Sequence, residues 1–297
     1  MIQPHTLAAR LTSRDRSLLR AIWDFRVLTS HQIAEAYFDS SDAARKRLLT
    51  LAQIGALERF QPNLPVGAGT APFHYVLGPN GATVLAAEDG IEPGQLGYRR
   101  DRVLAIAYSS RLAHTVGVNG VATSLIHAAR RGPSGQLTAW WPEHRCTKVW
   151  GDTARPDAYG RWSDDDGMLD FFLEYDTGTE PLGRVAAKLD DYARLTEATG
   201  IVTPVLFLVA TERREANLRE RLLQQPAHMF VPVATACRSS LAGSPDGGLA
   251  GGLWLPTDSP APRRRLGALA QTWPDIGPSH QPATDVPQEE EGTCSPS

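Results

Sequence analysis

The chain has 297 residues, 42% hydrophobic and 21% charged, with a net charge of −3; that length implies two domains, each with enough apolar side chains for a core. No apolar run approaches the ~18 residues of a membrane span, and Met1 to Thr6 lacks the basic and apolar regions of a signal peptide. Cys146, Cys237 and Cys294 form no CxxC pair, which argues against a disulfide framework or a zinc site and makes a reducing cytoplasm the expected location.

The charge is unevenly placed. Residues 1–60 hold nine Lys/Arg against six Asp/Glu, whereas residues 151–180 hold two against nine. A basic module joined to an acidic one suits a DNA-docking element beside a metal site. Residues 12–60 read as three helices. Thr12 or Ser13 caps the first, whose apolar stripe is Leu18, Leu19, Ile22, Trp23 and Phe25. Thr29 with Gln32 forms a capping-box pattern for the second. Asp39 to Asp42 makes a turn into the third, from about Ala43 to Ile54, with Arg45, Lys46 and Arg47 near its exposed N-terminal end. Gly55 ends it. Ala56–Phe60 and Phe73–Leu77 then read as two strands around a Gly/Pro-rich loop. Three helices followed by a β-hairpin is the order of a winged helix, and the three cations suit phosphates and base edges of double-stranded DNA. The expected DNA-binding residues are therefore Arg45, Lys46 and Arg47, in a domain spanning residues 1–98.

Residues 99–256 read as a second, α/β domain. A long helix is expected over Arg102–Arg131, broken near Gly117 or Gly120, then strands at Gln136–Trp141, from Pro156, at Leu169–Tyr175, at Pro204–Ala210 and at Met229–Ala234. A helix opening at Thr179 or Glu180 and a charged helix over Glu212–Leu223 separate the later strands. Asp164-Asp165-Asp166 beside Gly167 reads as a hairpin loop, and Trp140 and Trp141 as core or strand-edge aromatics. Residues 257–297 are Pro-rich and acidic at Glu289–Glu291, so a disordered tail is expected, with Arg263–Arg265 a solvated charge run. The glycines from Gly247 to Gly252 lack a GK[ST] ending and follow no strand, leaving ATP dependence without support.

Arg155-Pro156-Asp157 and the apolar run Leu169 to Leu173, which ends in Glu174-Tyr175-Asp176, carry the chemistry. Carboxylates gathered at strand tips suit Mg²⁺ or Mn²⁺, since Mg²⁺ takes one or two carboxylates and completes its shell with water and substrate phosphate. This order of elements resembles the PD-(D/E)xK nuclease fold. Together with Thr29 to Ile33, Phe172 to Glu180 and Lys188-Leu189-x-x-Tyr192, it is similar to the actinobacterial replication-relaxation family over about residues 10–235. That resemblance implies a winged helix-turn-helix followed by a PD-(D/E)xK-like domain with a central mixed sheet flanked by helices. It also implies a role in replication or transfer of plasmids and mobile elements, with replication or transfer proteins, or a second copy of the chain, as partners.

The nuclease pattern makes Asp157, Glu174 and Asp176 the candidate metal ligands. Its lysine normally sits two residues after the Glu, where this chain has Asp176. Lys188, or Arg184 one turn earlier, is then the candidate to bring a cation to the attacking water and phosphate. The candidate catalytic set is Asp157, Glu174, Asp176 and Lys188. Asp176 alternatively caps the turn that follows, Glu180 is a first-turn helix acid, Glu143 is a further ligand candidate, and His114 is a base, a phosphate contact or a buried histidine. Three functions remain open: a metal-dependent DNA-nicking nuclease, an inactive DNA-binding accessory factor, and a transcriptional regulator.

Overall fold

The computed structural model describes residues 10–63, 67, 69–132, 135–243, 248–258, 262–273 and 276. Helix α1 (Ser13–Phe25) starts at a capping box. The Thr12 hydroxyl accepts the Asp15 N–H at 3.2 Å, and the Asp15 carboxylate accepts the Thr12 N–H at 2.7 Å. Leu18, Leu19, Ile22 and Phe25 form its buried stripe. Strand β1 (Leu28–Thr29) leads into α2 (Ser30–Tyr37), where Thr29 and Gln32 make the expected reciprocal cap. Helix α3 (Ser41–Gln53) is capped by the Ser40 hydroxyl, and Gly55 follows it with φ 69°. Strands β2 (Leu57–Phe60) and β3 (His74–Leu77) pair antiparallel, and β1 adds to the other edge of β3. Two residues are too few for periodicity to reveal β1 in a sequence. Helix α4 (Pro79–Glu88) closes a core in which Leu19, Ile22, Ile33, Leu48 and Leu51 are fully buried.

The following helical stretch differs from expectation. Helix α5 (Arg100–Leu104) passes into a 3₁₀ turn at Ala105–Tyr108, and α6 (Leu112–Arg131) then runs unbroken through Gly117 and Gly120. The interruption falls at residues 109–111 instead. The two glycines serve close packing: a Cβ at Gly117 would run into the Tyr175 ring, and Gly120 faces Gln32.

The rest is an α/β layer built on a six-stranded mixed sheet in the order β4-β5-β6-β7-β8-β9. Strands β4 (Gln136–Pro142), β5 (Ala158–Asp164) and β6 (Gly167–Tyr175) form an antiparallel meander, with helix α7 (Glu143–Trp150) between β4 and β5. The β5–β6 turn contains Asp164-Asp165-Asp166, as a hairpin reading requires. Helices α8 (Leu182–Ala187) and α9 (Leu189–Thr199) cross over to β7 (Val205–Val209), parallel to β6. Helix α10 (Glu212–Leu223) crosses to β8 (Val233–Cys237), and β9 (Leu255–Pro256) closes the edge antiparallel. Successive β6 side chains alternate faces. Phe172 packs in the core with Trp150, Tyr192 and Leu218, whereas Phe171 and Leu173 pack with Val118, Val121 and Leu125 of α6.

The expected unpacked tail needs correction over residues 262–273. Arg264 bridges Trp254 on an extension of the sheet, and α11 (Leu269–Thr272) packs beneath it with Leu266, Leu269 and Trp273 buried. Each of these three buried apolar side chains contributes ~1.5–3 kcal/mol toward holding the segment on the sheet. Arg263 is no solvated cation: its guanidinium makes two bonds, at 2.9 and 2.7 Å, to the buried Glu215 carboxylate. Glu289–Glu291 lie outside the described residues.

Helix α6 joins the two cores. Gln32 donates to the Val116 carbonyl at 2.7 Å, and the buried Asn119 amide donates to the carbonyls of Phe25 and Val27. Arg130 reaches Asp39 at 2.6 Å.

Candidate functional site

The site lies where β5 begins and β6 ends. The Asp157 N–H donates to the Leu173 carbonyl at 3.1 Å, which seats Asp157 beside the tip of β6. Its Oδ2 accepts the Tyr175 N–H at 2.8 Å, and its Oδ1 meets His114 Nε2 of α6 at 2.9 Å. Glu174, on the opposite face to Tyr175, looks toward the crossover helices. Lys188 stands where α8 meets α9, and this bend brings its Nζ to 2.7 Å from Glu174 Oε2. One turn further on, the Tyr192 hydroxyl donates to Glu174 Oε1. A cleft of about 320 Å³ opens over this group, walled by residues 151–155 and by Glu174, Lys188, Asp191, Tyr192 and Arg194. Glu174 is 2% exposed while the Lys188 side chain is 33% exposed, so the acid is the floor and the ammonium the reachable group.

Burial dominates the electrostatics. Desolvation and the neighbouring Asp157 charge push the Glu174 carboxyl up to about 7, against the pull of Lys188 and Tyr192. Burial draws the Lys188 ammonium down, but the Glu174 and Asp157 carboxylates outweigh it and leave the group raised. His114 behaves alike: burial lowers it, and the bond to Asp157 more than reverses that.

The sequence-derived set is therefore divided. Asp157, Glu174 and Lys188 come together, and His114 joins them. Asp176 does not: Arg214 at the start of α10 grips its carboxylate with Nε and Nη2, and its Oδ1 also accepts the Gly178 N–H at 3.0 Å. It acts as the cap of the turn. Arg184 is exposed, Glu143 pairs with Arg111 at 2.9 Å, and Glu180 gives Arg214 a backbone carbonyl. Among the described residues no three acidic, histidine or cysteine side chains are grouped to hold a metal ion. Asp157 and Glu174 are the two carboxylates left at the site that could offer oxygens to an ion. Each carboxylate oxygen there has accepted one hydrogen bond and keeps a second lone pair.

A model of the replication-relaxation family matches residues 19–206, more than half the chain and all of the cluster around Glu174. The chain belongs to the replication-relaxation family. No curated protein and no solved structure matches it. Within this family member the matched span also covers α3, where the three cations separate. Arg45 and Lys46 are exposed, Arg45 leaning on Asp42 at 3.1 Å. Arg47 instead turns inward, with Nε 2.8 Å and Nη2 2.5 Å from the buried Asp15 carboxylate and Nη2 3.0 Å from the Arg10 carbonyl. It ties α3 to the cap of α1. Tyr192 entered the sequence reading through the Lys188-Leu189-x-x-Tyr192 motif but not in the catalytic set, and Arg214 did not enter it. The spacing Lys188-x-x-x-Tyr192 signals the first, because i and i+4 share a helix face; no local pattern signals the second. Among the described residues no helix is long and apolar enough to cross a membrane.

Proposed function

We propose that this replication-relaxation protein binds double-stranded DNA through an N-terminal winged helix and nicks it at a PD-(D/E)xK-like site made of Asp157, Glu174 and Lys188. The observation that carries this reading is the Lys188 ammonium, 2.7 Å from Glu174 on the wall of an open cleft. It supplies from a crossover helix the cation that the strand lacks at Asp176. In support, the order of the sheet puts Pro156-Asp157 at the head of one meander strand and Glu174 near the end of the next. Exposed Arg45 and Lys46 on α3 contact phosphates and base edges.

Asp157 and Glu174 would hold Mg²⁺ or Mn²⁺, which when bound neutralises charge at the scissile phosphate and promotes ionisation of water. The chain's own residues do the rest. Lys188 draws the phosphodiester into the cleft and stabilises the charge that develops on its oxygens. His114 fixes Asp157 through Oδ1, and Tyr192 fixes Glu174 through Oε1, so both carboxylates are held before substrate arrives. A second reading, a DNA-binding accessory factor without turnover, is favoured by one fact: every oxygen of the two acids already accepts a hydrogen bond from within the fold.

Incubation with supercoiled plasmid carrying the cognate replication origin separates the two. Conversion to open circles with Mn²⁺, absent with EDTA and in Glu174→Gln, is the expected outcome. Intact DNA binding with no nicking under either condition would leave only the accessory role.

A further inference from the structure

Residues 103–108, Val-Leu-Ala-Ile-Ala-Tyr, are apolar without interruption, yet α5 and the 3₁₀ turn that carry them bury no side chain. Tyr108 is 92% exposed, more than any other large apolar or aromatic side chain among the described residues. Water penalises such a surface, so an apolar stretch left open on a folded chain marks a contact made with something else. The arm is fixed at both ends. Ahead of it, the Tyr98 hydroxyl donates to the Leu77 carbonyl of β3 at 3.2 Å, and Arg100 Nε donates to Glu58 of β2 at 2.6 Å. Behind it, Arg111 donates to Glu143 at 2.9 Å, and His114, in the first turn of α6, meets Asp157 at 2.9 Å. The exposed stretch thus bridges the β2–β3 hairpin and the Asp157 side of the site.

Charge points to the occupant. Residues 99–111 hold four Arg against one Asp. Arg99, Arg100 and Arg111 lean on Asp101, Glu58 and Glu143, and their side chains stay 61%, 62% and 56% exposed; Arg102 is exposed as well. With those three acids counted, one positive charge remains in excess, and ion pairs this open are weak enough for a phosphate to displace the acid. Open apolar and aromatic side chains for base faces, with guanidiniums around them for phosphates, are what a single strand of nucleic acid requires. Paired bases turn their faces to one another along the stack and offer only edges, so an exposed ring such as Tyr108 stacks on an unpaired base.

We infer that residues 103–108 bind a single DNA strand, with an unpaired base stacked on Tyr108 and Arg102 on its phosphates. This rests on the proposed action on DNA and narrows its substrate: the site works on a duplex opened locally, and the arm holds one of the parted strands.

The test is fluorescence anisotropy of the full chain with two labelled probes, a single-stranded oligonucleotide of the origin sequence and the corresponding duplex, for wild type, Tyr108→Ala and Tyr108→Phe. The exposed ring has no place in either core, so all three proteins keep one melting temperature. The arm predicts that single-strand affinity falls about tenfold in Tyr108→Ala and stays near wild type in Tyr108→Phe, which keeps the ring face. Duplex affinity, set at α3, is unchanged in both. Equal single-strand affinity in wild type and Tyr108→Ala would overturn the inference and leave duplex docking intact. So would duplex binding with no single-strand binding at all. A wild-type dimer that Tyr108→Ala converts to a monomer would overturn it too, by making the arm a contact between copies. Single-strand binding that depends on Tyr108, in a protein that does not bind duplex, would keep the arm and remove the winged-helix docking.

Discussion

Glu174 is the side chain on which the proposed chemistry turns, and its environment fixes the sign of a pH effect. Its carboxyl is raised from 4.5 to about 7 by burial and by Asp157. Between those values the folded protein holds more protons than the unfolded chain, so this contribution to stability is full below about 4.5 and lost as pH rises through about 7. His114, also raised, contributes stability that is full below its ordinary 6.5 and lost above. Both slopes have one sign. The melting temperature of the metal-free protein is expected to fall between about pH 5 and about pH 8, with Glu174→Gln flattening the lower part of that fall. Added Mg²⁺ favours the ionised carboxylates, so its stabilising shift is expected to be larger at the higher pH. An equal shift at both ends would speak against cation binding by these acids.

The same scale separates Arg45, Lys46 and Arg47, three adjacent cations that look alike in sequence. Removing Arg47 strands the Asp15 carboxylate, 1% exposed, without its charged donor. Arg47→Ala is expected to destabilise by about 1.5–3 kcal/mol, whereas Lys46→Ala stays within about 0.5 kcal/mol and weakens DNA binding. Chemical denaturation beside a binding titration distinguishes them; the reverse pattern would show Arg47 to be the DNA contact. The grouping of Asp157, Glu174 and Lys188 was legible because a Pro-Asp ahead of one strand, an acid near the end of the next apolar strand and a helix after it form a local pattern. The role of Asp176 was not legible, since its partner Arg214 lies 38 residues away and only the fold brings them together.

Elements were legible where periodicity or capping marks them. Thr12, Thr29 and Ser40 cap helices where the sequence pattern requires caps, and the core strands at Leu169–Tyr175 and from Val205 are as expected. Helix α7 was missed because its eight residues bury only Cys146 and Trp150, too few for a stripe. Glycine misled in α6: propensity suggested a break, but Gly117 is the place where the Tyr175 ring lies on the helix, its edge toward His114 at 5.8 Å between ring centroids. Gly117→Ala improves helix propensity yet forces that ring away. A net loss of about 1–3 kcal/mol is expected, together with lower nicking activity, because His114 holds Asp157. Unfolding curves that show stabilisation would mean that the ring gives way without cost.

At the scale of the whole molecule, α6 spans both cores, bonded to Gln32 and Asp39 at the N-terminal unit and to Asp157 at the site. Helix α6 thus ties the N-terminal unit and the cleft together, so under the proposed function a cut is expected at a fixed offset from the docked α3. Sequence suggested two units but could not reveal this shared helix, because the hydrogen bonds join residues some 84 to 94 positions apart. The C-terminal segment was misjudged for a related reason. Its few apolar residues, Leu266, Leu269 and Trp273, have no periodicity of their own and become a core only against the sheet.

The most direct test of the proposed site is plasmid nicking by Lys188→Ala, with wild type and Lys188→Arg alongside and duplex affinity measured for all three. If Lys188 is the cation of the site, nicking falls by roughly 10²–10³-fold in the alanine variant and is partly restored by arginine, while affinity at the α3 docking surface persists. Wild-type nicking by Lys188→Ala would contradict the assignment and with it the site made of Asp157, Glu174 and Lys188.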